Sequence, residues 1–208
     1  MKKSIKDSEL FNSVFLLQPG RPILCTTKNS DGSNHVAPFS WINPVSYKPP
    51  RVALALLNDP KKQQSLGNIE RTGEFVVNLP GFDLAEKIVE TSYSTKFGEN
   101  KFERSGFTSL ASVKVEPQGI EECKAHLECK VINSINAGDH TLLIADVVHA
   151  SYDEEAFSPS LLMKIEKFMP AVHIFNFNLE QSQLHIFLAP GSTHSIEVPY
   201  PKEKIVSD

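Results

Sequence analysis

The sequence predicts a mostly β protein, a largely antiparallel barrel with peripheral helices. Strand-like segments outnumber helical ones, consecutive strands are joined by short turns, and no regular βαβ alternation is present. Arg21 to Thr27 reads as the first strand, Asn29-Ser30-Asp31-Gly32 as a turn, and His35 to Trp41 as the hairpin partner. Arg51 to Leu57 is a third, buried strand. Between them Pro38, Pro49 and Pro50 cannot donate to a sheet ladder. The backbone there must leave regular pairing beside a buried strand and expose amides to a ligand.

Asp59-Pro60 is predicted to start a helix, with an acidic N-cap and proline in the first helical position, and Arg71-Thr72-Gly73 to stop it. Leu66 and Ile69 are its apolar anchors. Glu74 to Leu79 follows as a strand, and Asp83-Leu84-Ala85-Glu86 forms an acidic capping pattern ahead of a short helix through Ile88 and Val89. Thr91 to Glu103 has no clear period and reads as a surface loop. Two long strands, about Cys123 to Ile135 and Thr141 to Ala150, are joined by Asn136-Ala137-Gly138-Asp139-His140. From Phe157 onward the pattern breaks into aromatic and Pro-bounded pieces, and the polar tail after Tyr200 is expected to be mobile. The chain thus divides into an N-terminal segment (1–14), a barrel domain (15–155) and a C-terminal extension (156–208).

Composition limits the functions open to it. A chain of 208 residues with 40% hydrophobic content fits one globular domain with elaborations, or a domain plus an arm. A net charge of −4 gives no general attraction to phosphate backbones, and no Lys/Arg cluster alternates with aromatics, so nucleic acid is not an expected partner. No apolar stretch approaches membrane-spanning length and Met1 to Asp7 leads into no signal-type apolar core, so a cytoplasmic protein is expected. Cys123 and Cys129, an even number of residues apart in an alternating segment, are expected on one core face with His126 opposite; six strand steps, roughly 20 Å, exclude a disulfide. Cys25 is expected to pack likewise, a redox role being the lesser alternative.

Several motifs, taken in order and spacing, resemble the flavin reductase-like FMN-binding split-barrel proteins, including the flavoredoxins. They are Pro22-Ile23-Leu24-Cys25-Thr26-Thr27, Asp31-Gly32-Ser33-Asn34, Ala37-Pro38-Phe39-Ser40-Trp41, Val45-Ser46-Tyr47-Lys48-Pro49-Pro50, Asn68 through Asn78, and Gly138-Asp139-His140. The resemblance covers roughly Phe15 to Ala150. Two departures stand out: Gln63-Gln64-Ser65 occupies a place where many relatives have Lys-Asp-Thr, and Ala145 one where glycine is common. The first bears on phosphate contacts, the second on packing.

The resemblance implies a Greek-key antiparallel split barrel, a homodimer, FMN as cofactor and NADH or NADPH as electron donor. FMN needs a flat slot for its ring, donors near N1 and O2, and a cationic or amide-rich end for phosphate. The turn through Pro38, Phe39, Ser40 and Trp41 would supply backbone donors and an aromatic wall, with Ser46 a further polar contact. Asn58, Lys61, Lys62 and Ser65, around the proposed helix start, would take the ribityl chain and phosphate. His140 would orient the electron donor. The extension from Phe157 to Pro199, with Phe168, Phe175, Phe177 and Phe187, would pack on a partner subunit or cover the flavin. Electrons would pass to a small-molecule or protein acceptor.

Each of these residues also has a plainer reading. Phe39 and Trp41 fit core aromatics, Lys61 and Lys62 a solvated helix face, and Ser40, Ser46 and Asn58 turn residues capping their own backbone. The seven histidines are scattered and form no compact ligand set, and no Gly-x-Ser-x-Gly elbow marks a hydrolase. A non-catalytic FMN-binding electron carrier, and more remotely a pyridoxamine-phosphate-oxidase-like enzyme, are the alternatives to a reductase.

Overall fold

The computed structural model describes residues 2–94 and 99–174, together with the backbone of 184–188 and 195–199. Its strands are β1 (Ile23–Lys28), β2 (Asn34–Phe39), β3 (Ile42–Ser46), β4 (Arg51–Leu57), β5 (Glu74–Asn78), β6 (Ser109–Leu110), β7 (Gly119–Ile120), β8 (Ala125–Asn136), β9 (His140–Tyr152), β10 (Val172–Ile174), β11 (Leu184–Leu188) and β12 (Ser195–Pro199). Seven of them form one antiparallel sheet in the order β2-β1-β5-β8-β9-β4-β3, β10 to β12 form a second, and β6 pairs with β7. The predicted barrel is present as a curled sheet that does not close.

The curl follows from chain connectivity. β2 and β3 lie at opposite edges of the seven-stranded sheet, yet only Ser40 and Trp41 separate them in sequence. A flat sheet of that size is about 29 Å wide, whereas the three Cα steps from Phe39 to Ile42 span at most about 11 Å. The edges must therefore swing round to meet, leaving a seam at Ser40 and Trp41. Both edge strands carry a proline, Pro38 in β2 and Pro44 in β3. Proline is tolerated at an edge and lacks the N–H that closing the ladder would use.

The strand β3 is absent from the sequence reading, and its Pro44 argues against a central strand; as an edge with a bulge between Pro44 and Ser46 it accommodates that proline. The helix after β4 also differs. Helix α1 spans Gln64–Thr72 and does not begin at Pro60. The Asn58 and Asp59 amides are drawn to the Asp139 carbonyl at 2.9 and 3.3 Å, and Gln63 N–H donates to Leu57 O at 3.1 Å, so the chain is held out of helical geometry until Gln64. Its end is as predicted, with Gly73 at φ +71°. Helix α2 (Ala85–Ser92) is reached through a 3₁₀ turn at Phe82–Leu84 and has no side-chain cap, so the acidic pattern at Asp83 does not form the expected capping bond. The expected loop from Thr91 to Glu103 is shortened by the end of α2 and by helix α3 (Lys101–Arg104), which Asn100 caps through the amides of Phe102 and Glu103; residues 95–98 lie outside the described residues.

Inside the curl, Cys25, Leu54, Leu56, Phe75, Val77, Cys129 and Leu143 form the main core, which α1 plugs with Leu66 and Ile69. Ala145 is fully buried here, in keeping with a packing role. The other face of β1 and β2 is buried as well, under α2 and α3, through Leu24, Val36, Ile88 and Phe102. Cys123 belongs to this second cluster and not to the face of Cys129, because β8 starts only at Ala125 and Cys123 sits in a turn, its N–H on Ile120 O. His126, on the face opposite Cys129, is buried too: Nε2–H donates to Ile120 O at 2.7 Å. A third cluster joins Ala125, Ala156, Phe157 and Phe168. Phe168, expected to await a partner subunit, is therefore buried by its own chain. Phe175, Phe177, the Phe187 side chain and the tail after Tyr200 lie outside the described residues. Among the described residues no helix is long and apolar enough to cross a membrane.

Burial, with the Lys101 charge adding to it, pushes the His35 imidazole down to about 3 from its ordinary 6.5. The unfolded chain therefore binds a proton that the folded protein refuses over that interval. Stability is full above pH 6.5 and falls as pH drops toward 3, at up to about 1.4 kcal/mol per pH unit from this group. Burial lowers His126 in the same direction. Denaturation free energies measured from about pH 7 to about pH 4 should show this decline, and His35→Gln should flatten it. Equal slopes for the two proteins would rule out His35 as its source.

Candidate functional site

The seam gathers the residues that the sequence singles out around its bend. Trp41 is 38% exposed and its carbonyl accepts from Ala55 N–H at 3.0 Å, which fixes the chain after the bend against β4. Its ring stacks on His140, centroids 4.6 Å apart and planes 29° from parallel. His140 begins β9 directly opposite Leu57, the last residue of β4. Its Nδ1–H donates to the Asp139 carboxylate at 2.7 Å, which fixes the ring's orientation. The Asp139 carbonyl takes the Asn58 amide, and Asn58 Nδ2 donates to Thr141 Oγ1 at 2.9 Å. One short network thus ties Trp41, His140, Asn58 and the 137–140 turn.

The start of α1 abuts the same strand end. Gln63 accepts from Leu57 N–H through its side chain at 2.9 Å, so this N-cap residue gives no side-chain bond to the first-turn amides. Those amides carry the positive end of the helix dipole. Ser65, 1% exposed, has a hydroxyl with no hydrogen-bond partner among the described residues. An unmet buried hydroxyl costs about 1–3 kcal/mol. The Gln64 and Asn68 side-chain amides donate to the side-chain oxygen of Asn29, Oδ1, both at 2.9 Å, and hold the β1–β2 turn over this helix end. Lys61 is exposed beside it, while Lys62 pairs with Glu70 at 2.8 Å. Both lysines precede the helix and are not in its first turn.

The remaining candidates are placed differently. Pro38 is half-buried opposite Leu24, and Phe39 turns into the main core, so the aromatic at the seam is Trp41. Ser40 bonds His173 across 3.2 Å. Ser46 pairs with Arg51 at the far end of β4, six strand steps or roughly 20 Å from Leu57. There it lines a groove of about 420 Å³ with Pro44, Pro50, Arg51, Val147 and His149. A single chain does not bring Ser46 to the Trp41–His140 network. The sequence does not single out Asn29, Thr141 or His173 as site residues, because their partners Asn68, Asn58 and Ser40 are distant in the chain.

A flavin phosphate fits this chain's residues: uncapped helix amides, an orphaned hydroxyl at Ser65 and lysines nearby are the donor set an anion takes. The sequence model of the family described as flavin reductase like domain matches residues 18–171. Two archaeal proteins, both uncharacterized, are each 31% identical: one of Methanothermobacter thermautotrophicus, over 64% of either chain, and one of Archaeoglobus fulgidus, over 71% of this chain and 80% of that one. Among solved structures, nitrilotriacetate monooxygenase component B from Bacillus cereus superimposes with a TM-score of 0.80 at 20% identity, covering 94% of this chain and 99% of that one. Flavoredoxin of Desulfovibrio vulgaris gives 0.73 at 20% identity, covering 92% and 94%. With the matched region spanning the curled sheet, the seam and the start of α1, the chain belongs to the flavin reductase like domain family, whose chemistry is flavin-related redox chemistry.

Proposed function

We propose that this protein is an FMN-binding oxidoreductase that passes electrons from NADH or NADPH through flavin to a small-molecule or protein acceptor. The observation that carries the reading is the orphaned Ser65 hydroxyl at an uncapped helix start, beside the strand end that holds Asn58 and His140. A bound flavin would supply the hydride-accepting and electron-transferring chemistry. The protein's share is placement. The amides of α1 and Ser65 take the phosphate, Asn58 the ribityl chain, and the Ser40–Trp41 bend one side of the ring. His140, fixed by Asp139 and stacked on Trp41, orients the nicotinamide. Phe11, Leu16, Leu17 and Tyr47, all more than 70% exposed, support a homodimer in which a second copy covers them.

Absorption of the purified protein tests the cofactor: flavin bands, or their recovery on adding FMN, are expected, and a protein that takes up no FMN refutes the proposal. Anaerobic mixing with NADH or NADPH then separates a reductase, which bleaches rapidly, from a carrier, which does not.

Ser65→Ala gives a sharper test. Removing an unpartnered hydroxyl should leave the flavin-free protein as stable as wild type or more so, while FMN affinity falls by about 1.5–3 kcal/mol, the range for a hydrogen bond to a charged group. Replacing Lys61 and Lys62 together with Ala should cost about 1 kcal/mol or less, since both are solvated and Lys62 has a competing partner in Glu70. Riboflavin, which lacks phosphate, should bind each variant like wild type; equal losses for riboflavin and FMN would move the phosphate elsewhere.

The turn that carries His140 is held by its backbone, with Ala137 N–H on His140 O at 2.8 Å and Gly138 at φ +89°. His140→Ala should therefore lose only the stacking and Asp139 contacts, about 1 kcal/mol of stability, and keep FMN. Stopped-flow reduction by NAD(P)H should nonetheless slow at least tenfold. A wild-type rate per bound FMN would remove His140 from the donor site.

A further inference from the structure

We propose that His173, on β10 and outside every motif of the barrel, is a positioning residue of the flavin site that locks the Ser40–Trp41 bend. The proposal rests on the flavin reading of that bend. Ser40 Oγ and His173 Nδ1 share a hydrogen bond at 3.2 Å between residues 133 apart in sequence. His173 is only 9% exposed. Its backbone is pinned on both sides, Gly20 N–H donating to its carbonyl at 2.9 Å and its own N–H to Gly20 O at 2.7 Å. Because Ile23 pairs with Phe39, Gly20 and Ser40 flank the same end of the β1–β2 pair. His173 thus ties the approach to β1, the exit from β2 and the first strand of the C-terminal sheet at one point.

The bend needs such a tie. Ser40 and Trp41 lie between two edge strands that do not pair with each other, so no ladder dictates their conformation. On the β4 side the Trp41 carbonyl is held by Ala55 N–H. On the other side the Ser40 hydroxyl is held by His173. Releasing it leaves Ser40 with only the flanking ladder pairs of Phe39 and Ile42 and the Trp41 carbonyl to hold the bend, and the Trp41 ring that faces His140 shifts with it. The sheet of β10, β11 and β12 thereby gains a physical route to the flavin through one side chain.

A double-mutant cycle tests this on the full chain. Ser40→Ala and His173→Ala should each weaken FMN binding about 3- to 10-fold. The double variant should be no worse than the weaker-binding single, because the Ser40–His173 bond is already lost in each. The midpoint potential of bound FMN should move in the same direction in both singles, a readout that lost stability alone does not change. His173→Asn, which keeps a hydrogen-bonding group, and Ser40→Thr, which keeps the hydroxyl, should recover most of the affinity; if His173→Ala does not fold, the comparison of Ser40→Ala with Ser40→Thr carries the test. Multiplying losses, or an unchanged potential with only a lower melting temperature, would overturn the positioning role. Wild-type protein that binds no FMN would overturn the flavin reading itself, whereas wild-type binding with Ser40→Ala and His173→Ala indistinguishable from it overturns His173 alone.

Discussion

Everything in this fold depends on two residues joining opposite edges of one sheet. Ser40 and Trp41 are too short a link for a flat arrangement, so the strands curl, and the curl creates the enclosed space that the Leu54, Phe75 and Leu143 core fills. Hydrophobic burial drives that filling, at about 25 cal/mol per Å² of apolar surface. It does not choose the curvature; connectivity does. The edge prolines Pro38 and Pro44 then keep the seam from zipping into a closed ladder. The unclosed seam is where the backbone is free to meet something other than another strand.

The polar groups around the seam follow the same logic of satisfaction and its exceptions. Deep in the scaffold Asn78 donates to Leu24 O at 2.8 Å and accepts from Ile120 N–H at 2.9 Å, and the Glu128 carboxylate takes the amides of Val113 and Lys114. Such groups are costly to bury and are fully engaged. Ser65 departs from this pattern at the helix start. Among the described residues Gln18, Asn34 and Arg104 also bury a polar atom lacking a hydrogen bond, but the Gln18 amide has a second polar atom, its nitrogen, Asn34 bonds Gln118 through its amide nitrogen, and Arg104 pairs with Glu90 and Glu99. Ser65 has a single side-chain polar atom, and it is the unmet one.

Local chemistry that acts over a few residues was readable from the chain. The bounds of β4, the start of β5, the Gly73 stop of α1 and its anchors Leu66 and Ile69 stand where periodicity and turn residues place them, and the long β8–β9 hairpin is present with its ends shifted by one or two residues. Asp59-Pro60 misled because capping chemistry assumes that the backbone is free, and here it is bonded to a turn some eighty residues away. Cys123 misled because alternation was extended past the strand's true start. Of the candidate residues, Trp41, Asn58, His140 and Ser65 converge on one strand end, whereas Phe39 turned inward and Ser46 sits at the opposite end of the same strand.

The sequence by itself determined the class of the fold, the places of β1, β2, β4, β5, β8 and β9 along the chain, and the family to which its motifs belong, because alternation, turn residues and motif spacing are properties of neighbours. Tertiary structure decided which edges meet, which serine is left without a partner, and that His173 reaches Ser40. Those outcomes depend on contacts between segments far apart in the chain. No local preference encodes them; they exist only once the sheet has curled.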